Sequence, residues 1–246
     1  MKIFSKTDIG LLRDENQDCV WSASLSDGAC AAVLCDGMGG EAHGGLASRI
    51  AVDVISKRIL GTFSEMMNRN SVRNLLITAV SAANSSVVDA ARKQPEGAVM
   101  GTTCVAAIVS GGRAYIVNVG DSRGYHLFTS EDSECIQQVT KDHSHVRDLI
   151  DRGEITEEQA KLHPDRNKIT RAIGAEEMVT PDYFELDLAD GDMILLCSDG
   201  LSSYGDDMDI LDICFEYPVE VICDKLVDYA NGNGGHDNIS VALIAV

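Results

Sequence analysis

Four aspartates stand at the same kind of place in this sequence. The apolar run from Ala29 to Cys35 stops at Asp36, and Gly37-Met38-Gly39-Gly40 follows. Met193 to Ser198 runs into Asp199-Gly200, and Val117-Asn118-Val119-Gly120 runs into Asp121. Gly234-Gly235-His236 leads into Asp237-Asn238, just ahead of the apolar stretch from Ile239 to Val246. A buried strand that carries a carboxylate to its end needs a positive partner there, and glycine lets the backbone turn sharply beyond it. Aspartates this far apart can meet only in three dimensions. The partner that suits them is a hard divalent cation, Mg²⁺ or Mn²⁺, held by carboxylate, backbone-carbonyl and water oxygens. Two such ions sharing one carboxylate stand about 3.5–4 Å apart, make a shared water nucleophilic near neutral pH and clamp a phosphoryl group. Arg13, in the polar stretch from Gly10 to Asp18, is the candidate to grip two phosphate oxygens at once. The chemistry is cation-assisted hydrolysis of a phosphate ester. Taken singly, each residue has a plainer reading: Asp36 and Asp199 as turn residues, Asp121 as a cap, Arg13 as a surface charge. The case rests on their conjunction.

The elements that must position these residues can be read in outline. Lys2 to Ile9 is a first strand, Cys19 to Ala23 a second, and Ser26-Asp27-Gly28 turns the chain into the strand that ends at Asp36. Leu46, Ile50, Val54 and Ile55 recur at helical spacing between Gly45 and Leu60. Leu75, Ile77, Val80 and Val87 mark a second helix from about Ser71 to Lys93, with Pro95 as its stop. Thr102 to Val109 and Arg113 to Val119 flank Ser110-Gly111-Gly112 as a hairpin, and Gly124 to Phe128 and Cys135 to Thr140 form the next pair. Tyr183 to Leu188 and Met193 to Ser198 read as a further hairpin around Ala189-Asp190-Gly191. Lys141 to Asn167 is charged and helix-leaning, with Leu149, Ile150 and Ile155 as its few anchors, and reads as a surface excursion. Helices near Asp207 to Phe215 and Val219 to Tyr229 precede the closing strand. Strands in hairpin-linked runs and helices in pairs do not match the alternation of a doubly wound sheet. They predict an α+β fold in which two mostly antiparallel sheets stack and helix pairs cover the outer faces. No linker, repeat or low-complexity tract divides the chain, which predicts one domain over 1–246.

Composition narrows the partners. With 39 acidic against 20 basic residues the formal charge is −19, which argues against nucleic acid or an anionic membrane. No secretory signal opens the chain, and no apolar run is long enough to span a bilayer. The eight cysteines form no Cys-x-x-Cys and several lie inside apolar strands, so reduced thiols in the cytoplasm are the simplest account. No cysteine sits in a Cys-x₅-Arg phosphate loop, and the histidines show no zinc spacing. His143-Ser144-His145, the only close histidine pair, reads as solvated rather than ligating.

Six stretches together resemble the metal-dependent Ser/Thr protein phosphatase family of the 2C type, in that family's order and over nearly the whole chain. They are Arg13-Asp14-Glu15-Asn16-Gln17-Asp18, Asp36-Gly37-Met38-Gly39-Gly40, Val119-Gly120-Asp121-Ser122-Arg123, Thr140-Lys141-Asp142-His143-Ser144, Cys197-Ser198-Asp199-Gly200-Leu201 and Asp237-Asn238-Ile239-Ser240. The length resembles the compact bacterial members. The resemblance implies a four-layer α-β-β-α sandwich with a binuclear Mg²⁺ or Mn²⁺ site at one end. By that analogy Asp36 bridges both ions, the Gly37 carbonyl binds one, and Asp199 and Asp237 complete the other. Asp18 acts through an intervening water, Asp121 with Asp199 holds a weaker third ion, and Arg13 binds the substrate phosphate. Residues from Lys141 to about Thr180 form a flap beside the site. The implied activity is hydrolysis of phosphoserine and phosphothreonine in proteins that are targets of Ser/Thr kinases, by a cytoplasmic signalling enzyme acting as a monomer.

Two positions depart from the family pattern. Met38 stands where many animal members have a histidine proposed to protonate the leaving alkoxide, and methionine has no such proton. Gln17 stands where many members carry a glutamate, so it can orient water but adds no charge. Two other functions fit the same residues less well: a catalytically weak module that docks phosphoproteins, and a phosphatase of small phosphoesters.

Overall fold

Both faces of the central strands are covered, and this is why an antiparallel protein shows long apolar runs here instead of alternation. The computed structural model describes residues 1–39, 43–94 and 99–246. Pro95, read above as the stop of the second helix, and Gly40 lie outside the described residues. The elements are β1 (Lys2–Asp8), β2 (Asp18–Ser26), β3 (Ala29–Met38), α1 (His43–Thr62), α2 (Arg69–Ala91), β4 (Gly101–Thr102), β5 (Cys104–Ser110), β6 (Arg113–Val119), β7 (Arg123–Ser130) and β8 (Ser133–Gln138). They continue with α3 (His145–Asp151), α4 (Glu157–Lys161), β9 (Asp182–Asp187), β10 (Met193–Cys197), α5 (Asp199–Ser202), α6 (Asp207–Glu216), α7 (Ile222–Gly232) and β11 (Ile239–Ala245). One sheet has the order β1-β11-β10-β7-β8 and the other β2-β3-β5-β6-β9, with β4 paired to β3. Every neighbouring pair among these strands is antiparallel.

The period of two along each strand sorts its side chains between two cores. On β3, Ala31, Val33 and Cys35 face the α1–α2 pair, together with Cys104, Ala106 and Ile108 of β5 and Ile55, Ile59, Leu76 and Val80 of the helices. The alternate residues Cys30, Ala32 and Leu34 meet Ile194, Leu196, Ala242 and Ile244 of the other sheet. That sheet's outer face, including Leu195, Val241 and Leu243, packs on Ile210, Leu211, Leu226 and Val227 of α6 and α7. The order is therefore helix pair, sheet, sheet, helix pair, as expected. Each fully buried aliphatic side chain contributes about 1.5–3 kcal/mol relative to exposure. All eight cysteines are free, and Cys35, Cys104 and Cys197 are buried core residues as read. Among the described residues no helix is long and apolar enough to cross a membrane.

Three local readings need correction. Met193 to Ser198 does not pair back on Tyr183 to Leu188. β9 pairs with β6 in one sheet and β10 with β7 and β11 in the other, so Ala189-Asp190-Gly191 crosses between layers. Asp192 holds that crossing: its carboxylate accepts from the Ala189 N–H at 3.0 Å and lies 2.8 Å from His126 Nε2. Secondly, β3 does not stop at Asp36 but runs to Met38, because Gly37 and Met38 pair with Thr102 and Gly101. Thirdly, the excursion after Lys141 is not anchored by Leu149, Ile150 or Ile155, which are only half-buried. Its anchor is fully buried Ile173, which pairs with Thr102 and joins the α1–α2 core. Asn84 of α2 secures the same stretch, accepting from the Gly174 N–H at 2.8 Å and donating to the Glu176 and Glu177 carbonyls.

Candidate active site

Antiparallel pairing brings the start of one strand beside the end of the next, and the predicted acids sit at those points. Asp18 opens β2 and stands directly opposite Asp36 on β3. Asp121 follows β6, Asp199 opens α5 just after β10, and Asp237 precedes β11. Like charges placed opposite one another across strands repel. Here the repulsion extends over the whole group, because the Asp36 carboxyl feels Asp18, Asp199, Asp121 and Asp237. The five acids therefore lie within one another's electrostatic reach.

Burial and mutual repulsion act on the acids together. Burial first, then the charges of Asp18, Asp199, Asp121 and Asp237, push Asp36 well above the usual carboxylate range. Burial raises Asp18 to about 7, opposed by hydrogen bonds from Ser240 and Ser198 and reinforced by Asp199 and Asp237. Burial, then Asp199 and Asp142, carries Asp121 to about 8. Burial and Asp237 take Asp199 to about 6. Buried Oδ1 atoms of Asp18 and Asp199 have no hydrogen-bond partner. Among the described residues no group of three or more His, Cys, Asp or Glu stands close enough together to hold a metal ion as it is. Nevertheless, orphaned hard oxygens in a crowded acidic cluster are the donor set that Mg²⁺ or Mn²⁺ takes, and a cation there would reverse the repulsion. The residues present fit the ions implied by the resemblance.

Polar residues that sequence reasoning left without a role hold these acids in place. The Asp36 N–H donates to Thr103 Oγ1 at 2.9 Å, and Thr102 Oγ1 donates to the Asp36 carbonyl at 2.8 Å. Thr103 and Ser122 hydroxyls are 2.7 Å apart, linking β5 to the residue after Asp121. Ser198 Oγ donates to Asp18 Oδ2 at 2.8 Å and accepts from the Ser240 N–H at 2.9 Å. Asn238 ties three segments: its Nδ2 donates to the Ile9 and Glu15 carbonyls, both at 2.9 Å, and its Oδ1 accepts from the Gln17 N–H at 2.8 Å. The only signal these residues offered was polarity at the end of an otherwise apolar run. Glycine is required at Gly37, where a Cβ would collide with the Gly44 carbonyl, and at Gly200, where it would collide with that of Asn238.

Arg13 stands at the rim, 54% exposed, and donates through a terminal guanidinium nitrogen to Asp237 Oδ2 at 2.7 Å. It is thus at the acidic cluster with much of its guanidinium open to solvent. Asp14 and Glu15 are exposed. His143 is buried, not solvated as its sequence context suggested. Its Nδ1 accepts from the Gly120 N–H at 3.0 Å and its own N–H donates to the Gly120 carbonyl at 2.9 Å, so it fixes the turn that carries Asp121. Burial lowers the pKa of its imidazole. Arg123 clamps Asp142 with Nε and a terminal nitrogen at 2.8–3.1 Å, fastening the other side of that turn. A cleft of about 970 Å³ opens beside Asp121, between the segment from Lys141 to Arg166 and the stretch from Ser202 to Asp209.

Several known proteins resemble this chain in sequence and in fold. Residues 13–218 match the family model described as protein phosphatase 2C. The chain is 35% identical over 240 residues to the serine/threonine phosphatase stp of Listeria welshimeri serovar 6b, covering 97% of this chain and 93% of that protein. The solved serine/threonine phosphatase of S. agalactiae superposes with a TM-score of 0.89 at 31% identity, covering 100% of this chain and 99% of that one. The catalytic domain of the phosphatase PstP, solved in complex with two manganese ions, superposes with a TM-score of 0.80 at 32% identity, covering 98% of this chain and 96% of that one.

Proposed function

The chain belongs to the protein phosphatase 2C family, which is metal-dependent, and on that footing we propose that it hydrolyses phosphoserine and phosphothreonine in proteins. The observation that carries this is the meeting of Asp18, Asp36, Asp121, Asp199 and Asp237 at one end of the stacked sheets, with unpartnered buried oxygens and an arginine at the rim. Asp36, Asp199, Asp237 and the Gly37 carbonyl hold two Mg²⁺ or Mn²⁺ ions, and Asp18 acts beside them. Asp121 and Asp199 hold a third, weaker ion. When bound, the ions supply positive charge that activates water and neutralises the phosphoryl group.

The protein's own groups do the rest. Arg13 leaves Asp237 for the substrate phosphate, offering two parallel N–H donors to its oxygens. Ser198 keeps Asp18 oriented by donating to one oxygen and leaves the other without a hydrogen-bond partner. Met38 has no proton to give the departing alkoxide, so water must give it. The segment 141–180 is a flap whose cleft accommodates the chain around the phosphorylated residue, which favours protein over small-molecule substrates. The remaining readings belong to the same proposal: one catalytic domain over 1–246, a monomer, located in the cytoplasm, acting on the products of Ser/Thr kinases, with a charge of −19 that disfavours nucleic acid and membrane surfaces. Turnover of a phosphothreonine peptide and of p-nitrophenyl phosphate, with Mn²⁺, Mg²⁺ or EDTA, tests it. Activity is expected with either ion, absent with EDTA, and abolished in Asp36→Asn and Asp237→Asn. Full activity in both variants overturns the assignment.

A further inference from the structure

Gln17 joins several parts of the site. Its carbonyl accepts from the Gly37 N–H at 3.2 Å and from Ser48 Oγ of α1 at 2.6 Å, while its N–H donates to Asn238 Oδ1 beside Asp237. Its side chain lies against Gly44 so closely that a Cβ there would collide with it. The carboxamide nitrogen faces two carbonyls, donating to Gly37 O at 3.1 Å and to Gly39 O at 3.3 Å. The opposite orientation would set three oxygens against one another, so the network assigns the nitrogen to this side.

We propose that Gln17 is a positioning residue: its carboxamide clamps the Gly37 and Gly39 carbonyls in place without a cation, at the cost of the extra negative charge a carboxylate would bring. An ionised glutamate of the same shape cannot donate. It would turn both contacts into repulsions in the cation-free protein and add one unit of charge attracting a cation. The clamp therefore exchanges divalent-ion affinity for Gly37 and Gly39 carbonyls that stay in place when no ion is bound. The inference rests on the cation site proposed above.

The test compares wild type, Gln17→Glu and Gln17→Met by thermal melting in EDTA and by calorimetric titration with Mn²⁺. Gln17→Glu is expected to melt below wild type in EDTA yet bind Mn²⁺ about tenfold more tightly, a gain that Coulomb's law allows for one added charge a few ångström from a dication even in water. Gln17→Met, which loses the donors without gaining charge, is expected to melt lower and bind Mn²⁺ several-fold more weakly. A purely structural role would weaken both variants alike. Equal or weaker Mn²⁺ binding by Gln17→Glu overturns the proposal. Should Gln17→Glu not fold, wild-type affinity in Gln17→Met overturns it instead. Wild type that takes up no Mn²⁺ would sink the cation site itself, a separate result.

Discussion

Replacing Asp18 with asparagine should make the cation-free protein more stable. Asparagine keeps the shape and still accepts from Ser198, but removes the charge that faces Asp36 across the β2–β3 pair. In the folded, cation-free state Asp18 holds its proton up to about pH 7, whereas an unfolded chain releases it near the ordinary aspartate value of 3.8. Between those values the native state binds more protons than the unfolded one, so stability falls as pH rises through the window and the loss is complete above it. About three units at 1.36 kcal/mol each set a ceiling of about 4 kcal/mol. It is a ceiling because Asp36 and Asp199 titrate in the same cluster and relax together with it. For a chain of this size 1 kcal/mol moves Tm by about 2–4 °C, so the ceiling is about 8–16 °C. The assay is calorimetric melting of both proteins in EDTA at pH 5 and pH 8. Asp18→Asn is expected to melt higher at pH 8 and to show less than half that advantage at pH 5. Saturating Mn²⁺ should narrow or reverse the order, since the cation relieves wild type more. A variant no more stable than wild type at pH 8 in EDTA, or equally favoured at both pH values, would refute the argument that Asp18 is a strained charge awaiting a cation.

Other changes probe other parts of the site. Arg13→Ala should raise KM for a phosphopeptide about tenfold and leave kcat within about twofold, because it removes binding shared by ground and transition states; a large fall in kcat at constant KM contradicts that role. Gly200→Ala must displace either the Asn238 carbonyl or the start of α5, and overpacking of this kind costs about 1–3 kcal/mol. Its melting temperature should drop, with Mn²⁺ affinity falling because Asp199 is moved; an unchanged Mn²⁺ titration contradicts the tight-packing argument. Ile173→Ala empties a fully buried position where the flap joins the α1–α2 core and should cost about 2–5 kcal/mol in denaturant unfolding. Proteolysis should then cut first between Lys141 and Thr180; unchanged protection there would show that the flap is anchored elsewhere.

Much of this protein is legible one residue after another. Apolar runs that stop at Asp36 and Asp199, helical spacing in α1 and α2 and the Ser110-Gly111-Gly112 turn are local signals, because strand ends, helix faces and tight turns are set by neighbours along the chain. They sufficed for the layer order, and they single out the acids proposed above as cation ligands. What they could not decide is which strands share a sheet. β9 and β10 are separated by a short turn and still part company, since pairing is settled by the register and twist of strands distant in sequence. Nor could they find the supporting groups: His143 looks like a surface residue until Gly120 folds over it, and Gln17 looks like a lost charge until the carbonyls of Gly37 and Gly39 are brought to its amide. Residue type is a property of the chain, but a carboxylate's proton affinity and an amide's partners depend on what surrounds them, and here those surroundings are assembled from five separate strand ends.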